Sequence, residues 1–204
     1  GSRVAARRER GFRLARSDSS ILTVSSLRLG GDRATLILPG DRKAEVDAAA
    51  ILLIEQVNGP VTWLSSLEPA ESVHIPFLDS SFPAQMDRTV DGKPIRFSHQ
   101  RFARGIGVHS LSRITWRLDG ADGPYRTPRT RYAVDDDLPS ANVTVRIKLD
   151  DRVVHEQADV TAGRISDLLT IALDNAKALT LEVDYGQGYD VQDRLNWIEP
   201  ALLR

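Results

Sequence analysis

Apolar and polar residues alternate along much of this chain with the period of two that marks a half-buried strand. In Arg113–Asp119, Ile114, Trp116 and Leu118 take one parity, and Arg113, Thr115, Arg117 and Asp119 the other. "NVTVRIKL" repeats the pattern, with Val143, Val145, Ile147 and Leu149 on its apolar side. Asp150-Asp151 then turns the chain into "RVVHEQ", which predicts a hairpin. "LLTIAL" and "LTLEVDY" read as two more strands. "LNWIEPALL" reads as a last one, in which Pro200 marks an edge or a bulge. No long helical period appears after residue 60. Five or more short antiparallel strands with Gly, Asp and Pro turns predict an all-β chain built on a β-sandwich.

The first 60 residues carry the same texture on a smaller scale. "ILTVSSLRL" runs into a Gly30-Gly31-Asp32 turn, followed by "RATLILPG" and "DRKAEV". The Ile/Leu run after Asp47 fits either a capped helix or a buried strand. A short turn at 47–50 with a strand over Ile51–Val57 is the reading adopted. Asn58-Gly59-Pro60 is the natural boundary. The expected division is a flexible basic leader over 1–20, a small β-rich subdomain over 21–60, and the main domain over 61–204. In the leader, residues 3–16 hold six arginines and one glutamate. Without interleaved aromatics they read as a solvated, frayed arm, and Gly1-Ser2 as a tag remnant.

Composition narrows the function classes. The chain has 204 residues, 41% hydrophobic and 27% charged, with a net charge of −1. That balance does not favour nucleic acid or an anionic membrane as partner. No apolar run reaches the roughly 18 residues a membrane span needs. The absence of cysteine excludes disulfides, zinc–thiolate sites and a cysteine nucleophile. There is no Gly-x-Ser-x-Gly elbow, His-Glu-x-x-His or phosphate loop. "GVHS" places His109 beside a serine, but neighbours on a strand face opposite ways, so the two are not a catalytic pair.

The stretches "RFARGIGVHSLSRITWRLDG", "YAVDDD", "VTVRIKLDDRVVHEQ" and "ALTLEVDYGQGYDVQDRLNWIEPAL", in that order, resemble the NPCBM family of carbohydrate-binding modules. The resemblance runs from about Trp63 to Leu203. It implies a galactose-binding-like jelly roll, lectin-like in use and non-catalytic, found at the ends of glycoside hydrolases and in large bacterial surface proteins. It further implies galactose-type glycans as ligand, a structural calcium, an exported location and fusion to further domains. Two positions depart from the family pattern: Asp150-Asp151 stands in place of Asp-Gly, and Asn196-Trp197-Ile198 in place of Asp-Trp-Ala. The alternative to a sugar binder is a structural or protein-interaction module of a larger surface or periplasmic protein.

With the resemblance in hand, the candidate carbohydrate-binding residues are His109, Asp87, Arg88, Asp190, Asp193, Trp197 and Tyr189. A neutral imidazole at His109 both donates and accepts, which suits paired hydroxyls; it would equally serve to pin the bend at the mouth of its strand. Asp190 and Asp193 lie in a loop made pliable by Gly186 and Gly188. There, either carboxylates accept from hydroxyls while Tyr189 or Trp197 offers a ring face, or the stretch is a long solvated hairpin connection. Asp87-Arg88 matches a family pair and reads either as a loop-holding ion pair or as a sugar contact. Asp135 and Asp136, in a run of three aspartates, read either as a solvated acidic turn or as carboxylates neutralised by calcium or an arginine; with Glu199, otherwise a surface glutamate, they form the candidate calcium set. Trp116 and Trp63 are assigned to the core. Gly105 and Gly107 are expected to admit close backbone approach or φ > 0.

Overall fold

The alternation over 113–119 and 143–149 is realised as two central strands whose apolar parity faces inward. In this computed structural model, which describes residues 10–77, 80–119 and 125–204, Ile114, Trp116, Val143, Val145 and Ile147 are all at most 1% exposed. The chain divides into two compact units, Gly1–Val61 and Thr62–Arg204.

The first unit is built from six strands: β1 Gly11–Arg16, β2 Ile21–Val24, β3 Ser26–Gly30, β4 Arg33–Leu38, β5 Arg42–Asp47 and β6 Ile51–Val57. They form two antiparallel three-stranded sheets, ordered β2-β1-β6 and β3-β4-β5. The Asp47 carboxylate accepts from Ala49 N–H and caps one 3₁₀ turn, Ala48–Ala50, before β6 begins. The core is small, with Leu14, Val24, Ala34 and Leu36 fully buried. β1 corrects the expectation of a flexible leader. Residues 11–16 are a strand because Phe12 and Leu14 alternate with Arg13, and β2 and β6 flank it on both sides. Residues 3–9 of that arm lie outside the described residues.

The second unit holds the strands β7 Val61–Trp63, β8 Glu71–His74, β9 Gln85–Met86, β10 Arg96–Phe97, β11 Gln100–Arg101, β12 Gly105–His109 and β13 Ser112–Arg117. They are followed by β14 Thr127–Val134, β15 Val143–Leu149, β16 Arg152–Val160, β17 Leu169–Thr170, β18 Ala178–Tyr185 and β19 Arg194–Leu203. One sheet runs β17-β14-β19-β12-β9, with β7 also on β19; the other runs β16-β15-β18-β13-β8. Both are antiparallel, and their inner faces share one apolar core, so the unit is an antiparallel β-sandwich. Asp150 and Asp151 both have positive φ, as a two-residue hairpin turn of the primed type requires, and they join β15 to β16.

Two strand-level expectations change, and a third resolves to one of its alternatives. "LLTIAL" contributes only the two residues of β17. Trp63 is half-buried, and Leu64 takes the core position beside it. Of the edge or bulge expected at Pro200, the bulge is found: it follows Glu199, whose φ of 49° accompanies a register shift against β14. Neither Gly105 nor Gly107 lies in the left-handed region. They are needed because a Cβ on Gly107 would run into the backbone of Arg88–Val90, and one on Gly105 would meet Ile95 and the Trp197 carbonyl.

Candidate functional site

The strand pairings bring several loops to one end of the sandwich. His109 pairs with Arg194, Ser112 with both His74 and Val183, and Val143 with Tyr185. The segments that leave these strands, 75–77, 80–84, 110–111, 135–142 and 186–193, therefore meet at a common end.

Its inner layer centres on Ser110. The Ser110 carbonyl accepts from His109 Nδ1–H at 2.8 Å and from His74 Nε2–H at 3.2 Å. Its hydroxyl donates to Asp193 Oδ2 at 2.8 Å, while Asp193 Oδ1 accepts Asn142 N–H at 3.1 Å. Asp193 is 0% exposed. Burial pushes its carboxyl up to about 6, against the pull of those two hydrogen bonds. His109 is 5% exposed and stacks on Phe82, with centroids 4.6 Å apart. Burial holds its imidazole below the ordinary value, which keeps the ring neutral.

The outer layer is aromatic. Phe77 is 51% exposed and Tyr189 66%; their ring centroids lie 5.6 Å apart, and Tyr185 meets Phe77 edge-on at 6.0 Å. Tyr185 is fixed by its hydroxyl, which donates to the Ile75 carbonyl. Gly186 lets this loop press on Asn142, where a Cβ would collide with the asparagine. Asp190, next to Tyr189, is half-buried and makes no hydrogen bond or ion pair among the described residues.

A cleft of about 230 Å³ opens between the 89–96 turn and the 135–137 loop. It is lined by Thr89, Asp91, Lys93, Pro94, Arg96, Asp135, Asp136, Asp137 and Arg194. Asp91 is held by Thr89 Oγ1 at 2.6 Å, Lys93 Nζ at 2.9 Å and Arg194 Nη1 at 3.3 Å, and the hydrogen bonds from Thr89 and Lys93 hold its carboxyl down at about 2. Asp135 accepts Asn196 Nδ2 at 2.6 Å, and Asp136 accepts Ser98 N–H at 2.9 Å.

The family model described as the NPCBM/NEW2 domain matches residues 61–203. The chain belongs to this family. The NPCBM unit also has solved structural counterparts. A CBM51 module from Clostridium perfringens GH95, solved with methyl-galactose, covers 70% of this chain and 99% of its own length, at 22% identity and a TM-score of 0.60. The CBM51-2 and INT domains of Clostridium perfringens ZmpB, solved with GlcNAc, cover 89% of this chain at 20% identity and a TM-score of 0.63; this chain spans 40% of theirs. The tandem CBM51 modules of Sp3GH98, a family 98 glycoside hydrolase of Streptococcus pneumoniae SP3-BS71, cover 71% of this chain at 18% identity and a TM-score of 0.58, and 47% of their own chain is spanned. These likenesses establish the fold as that of carbohydrate-binding modules. No curated protein sequence matches the chain.

The NPCBM unit separates the residues expected to act together. Tyr189 and Asp190 face outward at the loop end. His109 and Asp193 lie there too, but buried inside it, where their hydrogen bonds to Ser110 and Asn142 hold loops together. Trp197 is 0% exposed, a core residue stacked edge-on against Tyr132. Asp87 sits at the Gly105 end of β12, four residues or roughly 13 Å from His109 along the strand. There it pairs with Arg104 Nη1 at 2.7 Å and accepts Gly105 N–H. Arg88 donates to the Gly92 carbonyl and ties its own turn.

The calcium set also divides. Asp135 N–H donates to the Arg194 carbonyl, whereas Glu199 lies five residues further along β19, roughly 16 Å away, so Asp135, Asp136 and Glu199 do not fit one ion. Among the described residues no group of three such side chains converges as a metal cage. His74, Phe82 and Ser110 are the residues that sequence reasoning missed. Only the aromatic and histidine content of 74–82 hinted at them.

Proposed function

We propose that this chain is a non-catalytic carbohydrate-binding module that recognises galactose-type terminal sugars and works as one part of a larger exported protein. The exposed Phe77–Tyr189 ring pair beside the unpartnered Asp190 carboxylate carries this reading. A galactose-type ring has an apolar C–H face that packs on aromatic carbon, and hydroxyls that need directional acceptors. The platform offers the first and Asp190 the second. His109 serves as the buried shelf behind them, because its own hydrogen bond goes to Ser110. Membership of the NPCBM family and the methyl-galactose complex of the GH95 module support the choice of sugar. The ZmpB and Sp3GH98 chains, more than twice the aligned length, support a module within a larger protein. A shallow site of so few contacts predicts a Kd of roughly micromolar to millimolar.

The test is a glycan array followed by calorimetry with Tyr189→Ala and Asp190→Asn. Binding confined to galactose ends and lost in both variants is the expected result. An array without binding, or affinity indifferent to both substitutions, overturns the assignment.

One observation favours a second reading, a protein-interaction module. β6 is an edge strand, and Leu52, Leu53 and Ile54 are exposed on it, the kind of apolar edge that recruits another chain. Self-association or partner capture that disappears in Leu53→Glu, with glycan binding absent, would establish it.

A further inference from the structure

We propose that the cleft between the 89–96 turn and the 135–137 loop is a second saccharide subsite, taking a neutral, hydroxyl-rich sugar unit, so that the module reads an oligosaccharide at two points. The inference rests on the sugar-binding reading above and extends it to residues that reading does not use.

The charge pattern selects the ligand class. The cleft sets the carboxylates Asp91, Asp136 and Asp137, together with Asp135, against Lys93, Arg96 and Arg194. An anionic ligand would face the aspartates, and a cationic one the arginines and the lysine. A neutral polyol faces neither repulsion. It also matches both kinds of group at once, since each hydroxyl accepts from a guanidinium while donating to a carboxylate.

The cleft is organised before any ligand arrives. Asp91 is fixed by three donors, and Asp136 is fixed by the Ser98 backbone. Asn196, 3% exposed, holds Asp135 through Nδ2 and keeps its Oδ1 without a partner. Two groups on opposite banks remain uncommitted. The side chains of Arg96 and Asp137 are exposed and make no hydrogen bond or ion pair among the described residues. A guanidinium and a carboxylate held apart in this way present a donor and an acceptor to neighbouring hydroxyls of one sugar. Pro94 adds an apolar surface for its C–H groups.

The cleft also lies close to the first subsite. Arg194 pairs with His109 across β12 and β19, and the charges of both Arg194 and Asp190 are felt at the His109 ring. A ligand longer than one sugar therefore has a second set of polar partners near the platform.

Calorimetry would compare methyl β-galactoside with lacto-N-neotetraose, a galactose-terminated tetrasaccharide, on the full chain. The tetrasaccharide should bind about tenfold or more tightly than the monosaccharide, as expected when a second contact becomes intramolecular. In Arg96→Ala/Asp137→Ala that ratio should collapse to about one. Backbone amide shifts at Lys93, Arg96 and Asp137 should respond to the tetrasaccharide in the wild-type protein, which provides a readout free of mutation. A tenfold gain that survives the double substitution, no gain in the wild type, or silent amides in the cleft each overturn the second subsite while leaving the first in place. Failure of the wild type to bind either sugar overturns both.

Discussion

Tyr189 and Asp193 are four residues apart in one loop, yet the first is 66% exposed and the second 0%. Both side chains are of types that hold sugars. Only the outer one is free to do so. Asp193 has both oxygens engaged by Ser110 and Asn142, which makes its burial tolerable and commits it to holding three segments together. Tyr189 and Asp190 are spared that work. The loop end thus has an inner layer that sets the shape and an outer layer available for contact. Substitutions in the two layers should produce opposite signatures, one in stability and one in affinity.

The sharpest break of that comparison comes from the inner layer. Trp197→Ala should lower unfolding free energy by about 3–5 kcal/mol, because a buried indole leaves a large cavity. Chemical denaturation would measure it, and a loss under about 1 kcal/mol would remove Trp197 from the core. His109→Ala should cost about 2 kcal/mol through its lost stacking on Phe82 and its lost bond to Ser110. If the variant instead keeps its wild-type melting temperature and loses only sugar binding, His109 belongs to the outer layer.

Asp193 makes a test in pH. Its carboxyl is raised in the folded protein from 3.8 to about 6, so the native state binds the proton more tightly than the unfolded chain. This contribution is fully present below about pH 4 and is lost as pH rises through about 6, with a total on the order of 3 kcal/mol. Asp193→Asn can keep the Asn142 and Ser110 contacts and should flatten that part of the stability profile. An unchanged profile would mean that the carboxyl is solvated.

Smaller effects belong to the outer layer. Tyr189→Ala should weaken binding to galactose-ended glycans by about tenfold, or 1.4 kcal/mol, with the melting temperature unmoved. Arg88→Ala should change neither stability nor affinity by more than about 0.5 kcal/mol, because its side chain is exposed and its hydrogen bond goes to a turn carbonyl. A large loss of binding in that variant would restore Arg88 to the site.

The fold was widely legible because alternation is a local signal. Ile114 and Trp116 declare their face within a few residues, as do Val143 and Val145, and two consecutive aspartates at 150–151 are well suited to left-handed turn positions. Asp47 marked the short turn before β6 for the same reason. β1 was hidden because its arginines dominate the composition of 3–16 and obscure the Phe12/Leu14 alternation. Pro200 was legible only as an edge or a bulge because a missing N–H is tolerated at either, and nothing within "LNWIEPALL" says which neighbours flank it.

The site was legible only as a list of suitable residue types. Asp190 and Asp193 look alike in sequence, as do Trp197 and Tyr189 as ring donors. Glu199 and Asp135 look like partners until β19 sets them at different points along its length. The sequence by itself determined the strand periods, the turns, the family and the stretch of chain in which loops would carry function. The tertiary structure alone decided which of those loop residues look outward, because burial depends on contacts with segments far away in the chain. Ser110 and Asn142 are 83 and 51 residues from the aspartate they hold, and no local pattern in the sequence reaches that far.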